Sequence, residues 1–388
     1  MRIAIIGGKL QGLEAVYLAK KAGIEVVLID KEEKIPARNL ADSFYCLDVM
    51  SDDLLASALE NVDLVIPALE ENNVLENLSR VCRQIRVAYA FDPDAYAISS
   101  SKLRSDLFLK DRGVPVPCYY PHCSYPVIAK PSESSGSEGV ALFSDQHTLS
   151  QFLHDIKNDR QGWVIQEYLE GPSFSLEVVG WKGDCRVIQV TDLEMDAGYD
   201  CKRVIAPSTL SSLQQKKFAE IGERIAGCLH LNGIMDIEVI LHNGELKVLE
   251  IDARLPSQTP ICVYHSCGIN LVDVVANIFL RKALPEHLAV TAEKHVLLEH
   301  IRLTPGRLET CGEHVVGSSG PLSHIKNFFG ADEAITDYRP GIDSWVATLI
   351  ITGINRNGIN RRRCEIVEKI CSAYSVSEYI DTAPQKIL

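Results

Sequence analysis

Apolar positions in the first hundred residues follow two periods in turn. Arg2–Ile6 is a short run of strand-favouring residues, and Gln11–Ala22 carries Leu13, Val16, Leu18, Ala19 and Ala22 on a helical stripe. Glu25–Ile29 and Asp63–Pro67 return to continuous apolar runs. Short strands that are apolar throughout, separated by amphipathic helices, predict a parallel sheet covered on both faces. The segment Arg112-Gly113-Val114-Pro115-Val116-Pro117 interrupts this pattern, and its two prolines and glycine predict an exposed connection.

Beyond it, strands follow one another with few helices between. Pro126–Lys130 and Trp163–Glu167 read as strands, and Phe174–Gly180 alternates like a half-buried one. Met235–Leu241 and Leu246–Ile251 flank His242-Asn243-Gly244-Glu245, where Asn-Gly predicts a tight hairpin. This texture predicts antiparallel sheets, so α+β follows the α/β start. Further strands begin near His295, and Arg363–Ala373 reads as a closing helix with Arg361-Arg362-Arg363 as its solvated start.

Composition narrows the classes. The 388 residues suffice for two or three domains. A 46% hydrophobic share excludes a disordered chain, and the net charge of −13 argues against a partner such as duplex nucleic acid or a membrane surface. No apolar run approaches the roughly 18 residues of a membrane span, and the start is too short in its apolar part for a signal peptide. Twelve cysteines without a CxxC pair read as reduced, structural thiols of a cytoplasmic protein. His265 and His300 have no visible ligand or triad partner and read as structural.

Two constellations carry chemistry. Gly7-Gly8-Lys9-Leu10-Gln11-Gly12 follows a strand and opens a helix, with Asp30 ending the next strand, so an NAD-dependent dehydrogenase is one candidate. Lys9 stands where the middle glycine of that fingerprint belongs, which favours a tight turn instead. In the second, Glu250 and Asp252 share a face of one strand, and the hairpin brings Glu238 beside them. Three carboxylates on one sheet face repel unless a cation binds them, and hard oxygen ligands suit Mg²⁺ with substrate phosphates. Lys130 ends a strand before the Gly- and Ser-rich Pro131–Val140 loop, which has the composition of a mobile phosphate-covering lid. Lys102 is a second candidate phosphate ligand.

The order Lys102, Lys130 with its loop, Gln166-Glu167-Tyr168-Leu169, Glu238, then Glu250-Ile251-Asp252-Ala253-Arg254 resembles the ATP-grasp carboxylate–amine ligases over nearly the whole chain. The resemblance implies an ATP-grasp fold behind an N-terminal Rossmann-like (pre-ATP-grasp) domain. Residues 1–95 would form that leader, 96–185 the central lobe with the phosphate-covering loop, and 186–388 the lobe bearing the metal carboxylates. It further implies ATP and Mg²⁺ as cofactors. Lys102, Lys130, Ser135 and Gly136 would meet the phosphates; Glu167 and Leu169 would frame the adenine, with Gln166 and Tyr168 in the same nucleotide-binding strand end; Glu170 or a nearby acid would meet the ribose. Lys9, Leu10 and Gln11 would join the nucleotide set. Glu238, Glu250 and Asp252 would hold the metal, with Asp252 standing where many relatives have Asn, and Arg254 would steady the transferred phosphate.

Along most of its length the sequence is similar to the ligases of pyrrolysine biosynthesis. That similarity implies (3R)-3-methyl-D-ornithine (or D-ornithine) and L-lysine as substrates, joined as an amide through an acyl phosphate. The motifs alone specify an ATP-dependent ligase; the substrate pair rests on the resemblance. Glu70, Asn72, Ser175, Glu177 and Asp236 are then candidates for the substrate amines, and Arg254 with Ser257-Gln258-Thr259 for the carboxylates. Glu177 and Asp236 are candidate proton acceptors for the lysine amine. Another ATP-grasp amino-acid or purine-pathway ligase is the alternative.

Overall fold

The computed structural model describes residues 1–133, 139–156, 162–286, 288, 291 and 293–382. Its first ninety residues build a five-stranded sheet in the order β3-β2-β1-β4-β5, every pairing parallel. The strands are β1 (Arg2–Ile6), β2 (Glu25–Asp30), β3 (Ser43–Cys46), β4 (Leu64–Pro67) and β5 (Ala88–Tyr89). Alternate residues explain the continuous apolar runs. Ile3, Ile5, Val26 and Leu28 pack on Leu13 and Val16 of α1 (Leu10–Lys21). Ala4, Ile6, Val27 and Ile29 face Leu55 of α2 (Asp52–Ala58) and Leu78 of α3 (Asn72–Ile85). The strand order reverses between β1 and β4, which leaves a crevice at their carboxyl ends.

Helices α4 (Pro93–Ser99) and α5 (Lys102–Asp111) lead to a second, three-stranded sheet of β6 (Val127–Pro131), β7 (Ala141–Phe143) and β8 (Trp163–Glu167), with α6 (Gln146–Asp155) against it. The Arg112–Pro117 segment is less free than its prolines predict. Val114 is buried, and the Pro115 carbonyl accepts the Val248 N–H at 2.8 Å, tying the segment to an edge strand of the main sheet.

That main sheet has the order β13-β12-β9-β10-β11-β14-β18-β17-β16, with β15 on β14 and β19 on β15. Its first part holds β9 (Ser173–Trp181), β10 (Asp184–Met195), β11 (Cys201–Ala206), β12 (Gly233–His242) and β13 (Glu245–Asp252), with α7 (Ser212–Leu229) packed behind. Asn243 and Gly244 both have positive φ, 50° and 82°, as the tight hairpin requires. After α8 (Thr259–Cys267) and α9 (Leu271–Arg281) come β14 (His295–Thr304), β15 (Arg307–Cys311), α10 (His314–Gly317), β16 (Ser323–Phe328), β17 (Ala331–Thr336), β18 (Trp345–Gly353), α11 (Arg356–Ala373) and β19 (Glu378–Ile380).

Three expectations change. Strand β9 is buried on both faces rather than half-buried, because the sheet is covered on each side there. The 185/186 boundary falls inside β10, which pairs with β9, so sheet membership places the proposed division near Gly171 instead. The arginine triplet lies within α11, which begins at Arg356 with Asn355 accepting the Gly358 N–H. Arg362 pairs with Asp332 at 2.9 Å, and Arg363 grips both the fully buried Glu299 and the exposed Asp381, so these arginines tie the helix to the sheet. His265 and His300 are structural: they meet Tyr17 and Thr348, and burial depresses them to about 4 and about 3. All twelve cysteines are free thiols. Among the described residues no single helix is long and apolar enough to cross a membrane.

Candidate active site

The register of β9, β12 and β13 sets two rows of polar side chains on one sheet face. Ser175, Glu238 and Glu250 form one row, and Glu177, Asp236 and Asp252 the next. The intervening residues Leu176, Ile237 and Ile251 point the other way, into the core against Phe218. A bulge at Leu249, between the pairs Glu238–Glu250 and Val239–Val248, flips the alternation. It brings Lys247 onto the same face as Glu250, where it pairs with Glu167 of β8 at 2.5 Å, and it turns the Leu249 carbonyl toward Lys130 Nζ at 3.5 Å.

Cations meet these acids from three elements. Lys102, the first residue of α5, reaches Glu250 at 2.8 Å. Arg254 lies between Asp252 at 2.5 Å and Glu70 at 2.7 Å, and Gln11 donates to Glu70 at 3.1 Å. Lys130 is buried, which lowers its pKa against the pull of Asp106 and Glu250. Burial, then Glu250 and Asp252, push Glu238 up to about 7. Burial raises Asp252 to about 7 against the opposing Arg254, and raises Asp236 well above the carboxylate range with Asp252 and Glu238 adding to it. Glu177 rises to about 7 through burial; the nearby Thr259 hydroxyl offsets little of it, since neither Glu177 oxygen accepts a well-formed hydrogen bond. This is an excess of negative charge that a divalent cation would relieve, and its donors are hard oxygens that suit Mg²⁺. Among the described residues no three metal-ligating side chains converge as a ready-made cage.

Next to the rows lies a cavity of about 630 Å³, bounded by the carboxyl ends of the parallel sheet. Among the described residues, eleven carboxylates line it against three lysines and arginines, so it favours cationic ligands. Lys9, Leu10, Gln11 and Glu70 form its N-terminal wall, with Asp236, Glu238, Glu250, Asp252 and Arg254 opposite and Ser257–Thr259 beside them. Lys9, Leu10 and Gln11 thus belong to this cavity, apart from Lys102, Lys130 and the Gln166–Glu170 segment. Lys9 pairs with Glu32 at 2.9 Å. Asn72 is exposed at the start of α3 and off the cavity wall. Ser175 and Glu177 are fully buried behind the wall, not on it. Among the described residues, buried atoms without well-formed hydrogen bonds gather here: Ser175 Oγ, both Glu177 oxygens with Thr259 Oγ1 nearby, Asp236 Oδ1 and Gln258 Oε1.

On the other side of Glu250, Gln166 and Leu169 are buried, Glu167 accepts the Cys118 N–H at 2.8 Å, Tyr168 meets Tyr199 edge-on, and Glu170 is exposed beside His242. Ser135 and Gly136 lie outside the described residues. The glycine loop is explained by packing: a Cβ on Gly12 would stand 1.9 Å from the Gly7 carbonyl oxygen, and one on Gly7 2.6 Å from that of Ala68. Asp30, the carboxylate a nucleotide ribose would need, instead accepts the Gly8 N–H at 2.8 Å.

Sequence reasoning missed Asp106, Lys247, Glu313 and Glu14. Asp106 is one helical turn from Lys102 on α5, a spacing that could have revealed it. Lys247 was hidden by the bulge, and Glu313 reaches the cavity only through the tertiary fold.

Comparison with known proteins agrees with this architecture. The family model described as ATP-grasp domain matches residues 99–258, and the one described as PylC-like, N-terminal domain matches residues 3–90. The 3-methyl-D-ornithine–L-lysine ligase of Methanosarcina barkeri is 35% identical over 94% of this chain and 96% of its own length. Among solved structures, the biotin carboxylase domain of Hydrogenobacter thermophilus 2-oxoglutarate carboxylase, in complex with MgADP, superposes with a TM-score of 0.73 at 16% identity, over 95% of this chain and 89% of that one. An N5-carboxyaminoimidazole ribonucleotide synthetase in complex with ADP gives 0.70 at 14% identity, over 96% and 97%. These two show the fold alone; the Methanosarcina relative, matched almost end to end, shows that the chain belongs to the 3-methyl-D-ornithine–L-lysine ligase family and is an ATP-grasp carbon–nitrogen ligase.

Proposed function

We propose that this protein uses ATP and Mg²⁺ to join the carboxylate of (3R)-3-methyl-D-ornithine to the ε-amine of L-lysine, giving 3-methyl-D-ornithyl-N6-L-lysine, ADP and phosphate. The observation that carries the reading is the Glu238–Glu250 pair. It borders an anionic cavity on one side and Lys102 and Lys130 on the other, so a carboxylate in the cavity and a nucleotide beside the lysines meet across it. The substrate pair comes from the names of the relatives, and two cationic amino acids suit a cavity with this charge.

Lys102 and Lys130 orient the phosphates, and Glu167, held by Lys247, frames the base with Gln166, Tyr168 and Leu169. Glu170 is assigned to the ribose. Glu238 and Glu250 hold Mg²⁺, with Asp252 serving mainly to fix Arg254. Bound Mg²⁺ supplies charge neutralisation during phosphoryl transfer. Arg254 and the Ser257–Thr259 turn orient the D-ornithine carboxylate, so that positioning and electrostatics lower the barrier to the acyl phosphate. The lysine ammonium, with an ordinary pKa near 10.4, must lose a proton before it attacks. Asp236 is assigned that proton because it lines the cavity, and burial, then Asp252 and Glu238, raise its basicity. Free thiols and an ATP requirement fit the cytoplasm.

Release of ADP and phosphate with each amino acid alone and with both together tests this reading. Release that requires both substrates is expected; release unaffected by lysine sinks it.

A further inference from the structure

We propose that Glu14 is a positioning residue: by accepting the Gln258 N–H it holds the Ser257–Thr259 turn in a strained shape that presents its polar groups to the substrate carboxylate. This rests on the carboxylate site assigned to that turn above. Gln258 has φ 64° and ψ −58°, and the Thr259 N–H donates to the Ser257 carbonyl at 2.7 Å. These values define a γ-turn of the strained hand, centred on a residue that has a Cβ. Such a conformation persists only where its surroundings over-determine it, and it concentrates at functional sites.

Glu14 supplies the constraint. Its Oε2 accepts the Gln258 N–H at 2.6 Å, a contact between residues 244 apart in sequence. Glu14 is 4% exposed among Leu13, Ala15 and Val16, all buried and apolar. A carboxylate there loses hydration that an apolar residue would not, so packing alone gives no reason for it. Both Gln258 and Thr259 line the cavity, and the groups they bring that can donate to a carboxylate are the Gln258 side-chain amide N–H and the Thr259 hydroxyl. Helix α1 therefore opens the cavity at its glycine loop and, one turn later, fixes the opposite wall.

The test is steady-state kinetics with D-ornithine, L-lysine and ATP on Glu14→Leu, Glu14→Gln, Gln258→Gly and the Glu14→Leu/Gln258→Gly pair, with a crystal structure of Glu14→Leu. Glu14→Leu is expected to raise the D-ornithine KM by about tenfold, the scale of one buried hydrogen bond, with the ATP KM changed by less than about twofold. Glu14→Gln, whose amide oxygen still accepts the N–H, should recover most of that loss. In the Gln258→Gly background, where positive φ carries no Cβ penalty, adding Glu14→Leu should change the KM by less than about threefold. The crystal structure should show Gln258 leaving its φ of 64°. An unchanged D-ornithine KM in Glu14→Leu overturns the proposal, as does equal impairment of both Glu14 variants toward ATP and amino acid alike. Gln258 keeping its conformation in the Glu14→Leu crystal overturns it too. If the wild-type enzyme ligates nothing, the reaction assignment fails instead, and the crystal structure still decides the role of Glu14.

Discussion

Glu250 serves two partners at one position, since Lys102 neutralises it here while its row neighbour Glu238 shares the burden of excess charge. Glu250→Ala should lower ADP formation by about a hundredfold or more, the scale of losing one electrostatic contact to the transition state. Its circular dichroism and unfolding midpoint should stay close to wild type, because the side chain faces the cleft rather than the core. Full turnover in this variant would remove the metal assignment. The raised acids also predict pH behaviour. Glu238 and Asp252 sit at about 7, above ordinary values of 4.5 and 3.8, so the folded chain holds protons that the unfolded chain releases. They therefore withdraw stability from the ligand-free protein as pH rises from about 4 to about 7. A bound cation favours the ionised forms, so MgADP should raise the melting temperature more at pH 8 than at pH 6. A larger shift at pH 6 would contradict the assignment.

At the scale of elements, the bulge at Leu249 decides how two sheets are tied together across the cleft. Without it Lys247 would face the core, and Glu167 would lose its ion pair across the cleft. Lys247→Met should weaken ADP binding by about five- to tenfold, as expected for one charge-assisted hydrogen bond, and leave the amino-acid KM alone. Calorimetry showing unchanged ADP affinity would sink that role. The bulge also marks where pattern reading stops. Period-2 alternation placed Glu250 and Asp252 on one face, and Asn243-Gly244 placed Glu238 opposite, but a single inserted residue carries no hydrophobic signature. The same limit applies to Ser175 and Glu177, whose face is legible in β9 while the wall in front of them is not. In the leader domain, alternating strand and helix periods predicted the parallel sheet, and the near-miss at Lys9 pointed to a tight turn, whose packing reason only the tertiary contacts of Gly7 and Gly12 reveal.

Across the molecule, the C-terminal segment closes the sheet through buried charge. Glu299, fully buried, accepts from Arg203 and Arg363, and Asp381 bridges the same two arginines. Arg363→Met leaves Glu299 short of a partner and should cost about 3–5 kcal/mol in denaturant unfolding, with the activity of the folded fraction intact. A change under about 1 kcal/mol would contradict that account. No local pattern announces this cluster, since its members come from β11, β14, α11 and the residues after β19. The central claim concerns the reaction in the cavity these units enclose. It is tested most directly by supplying D-ornithine labelled with ¹⁸O in its carboxylate, together with ATP, Mg²⁺ and L-lysine, and analysing the products by mass spectrometry. The account predicts an ornithyl group amide-linked to the lysine ε-nitrogen and one ¹⁸O atom in the released phosphate. Phosphate without label, or a product that lacks lysine, would contradict it.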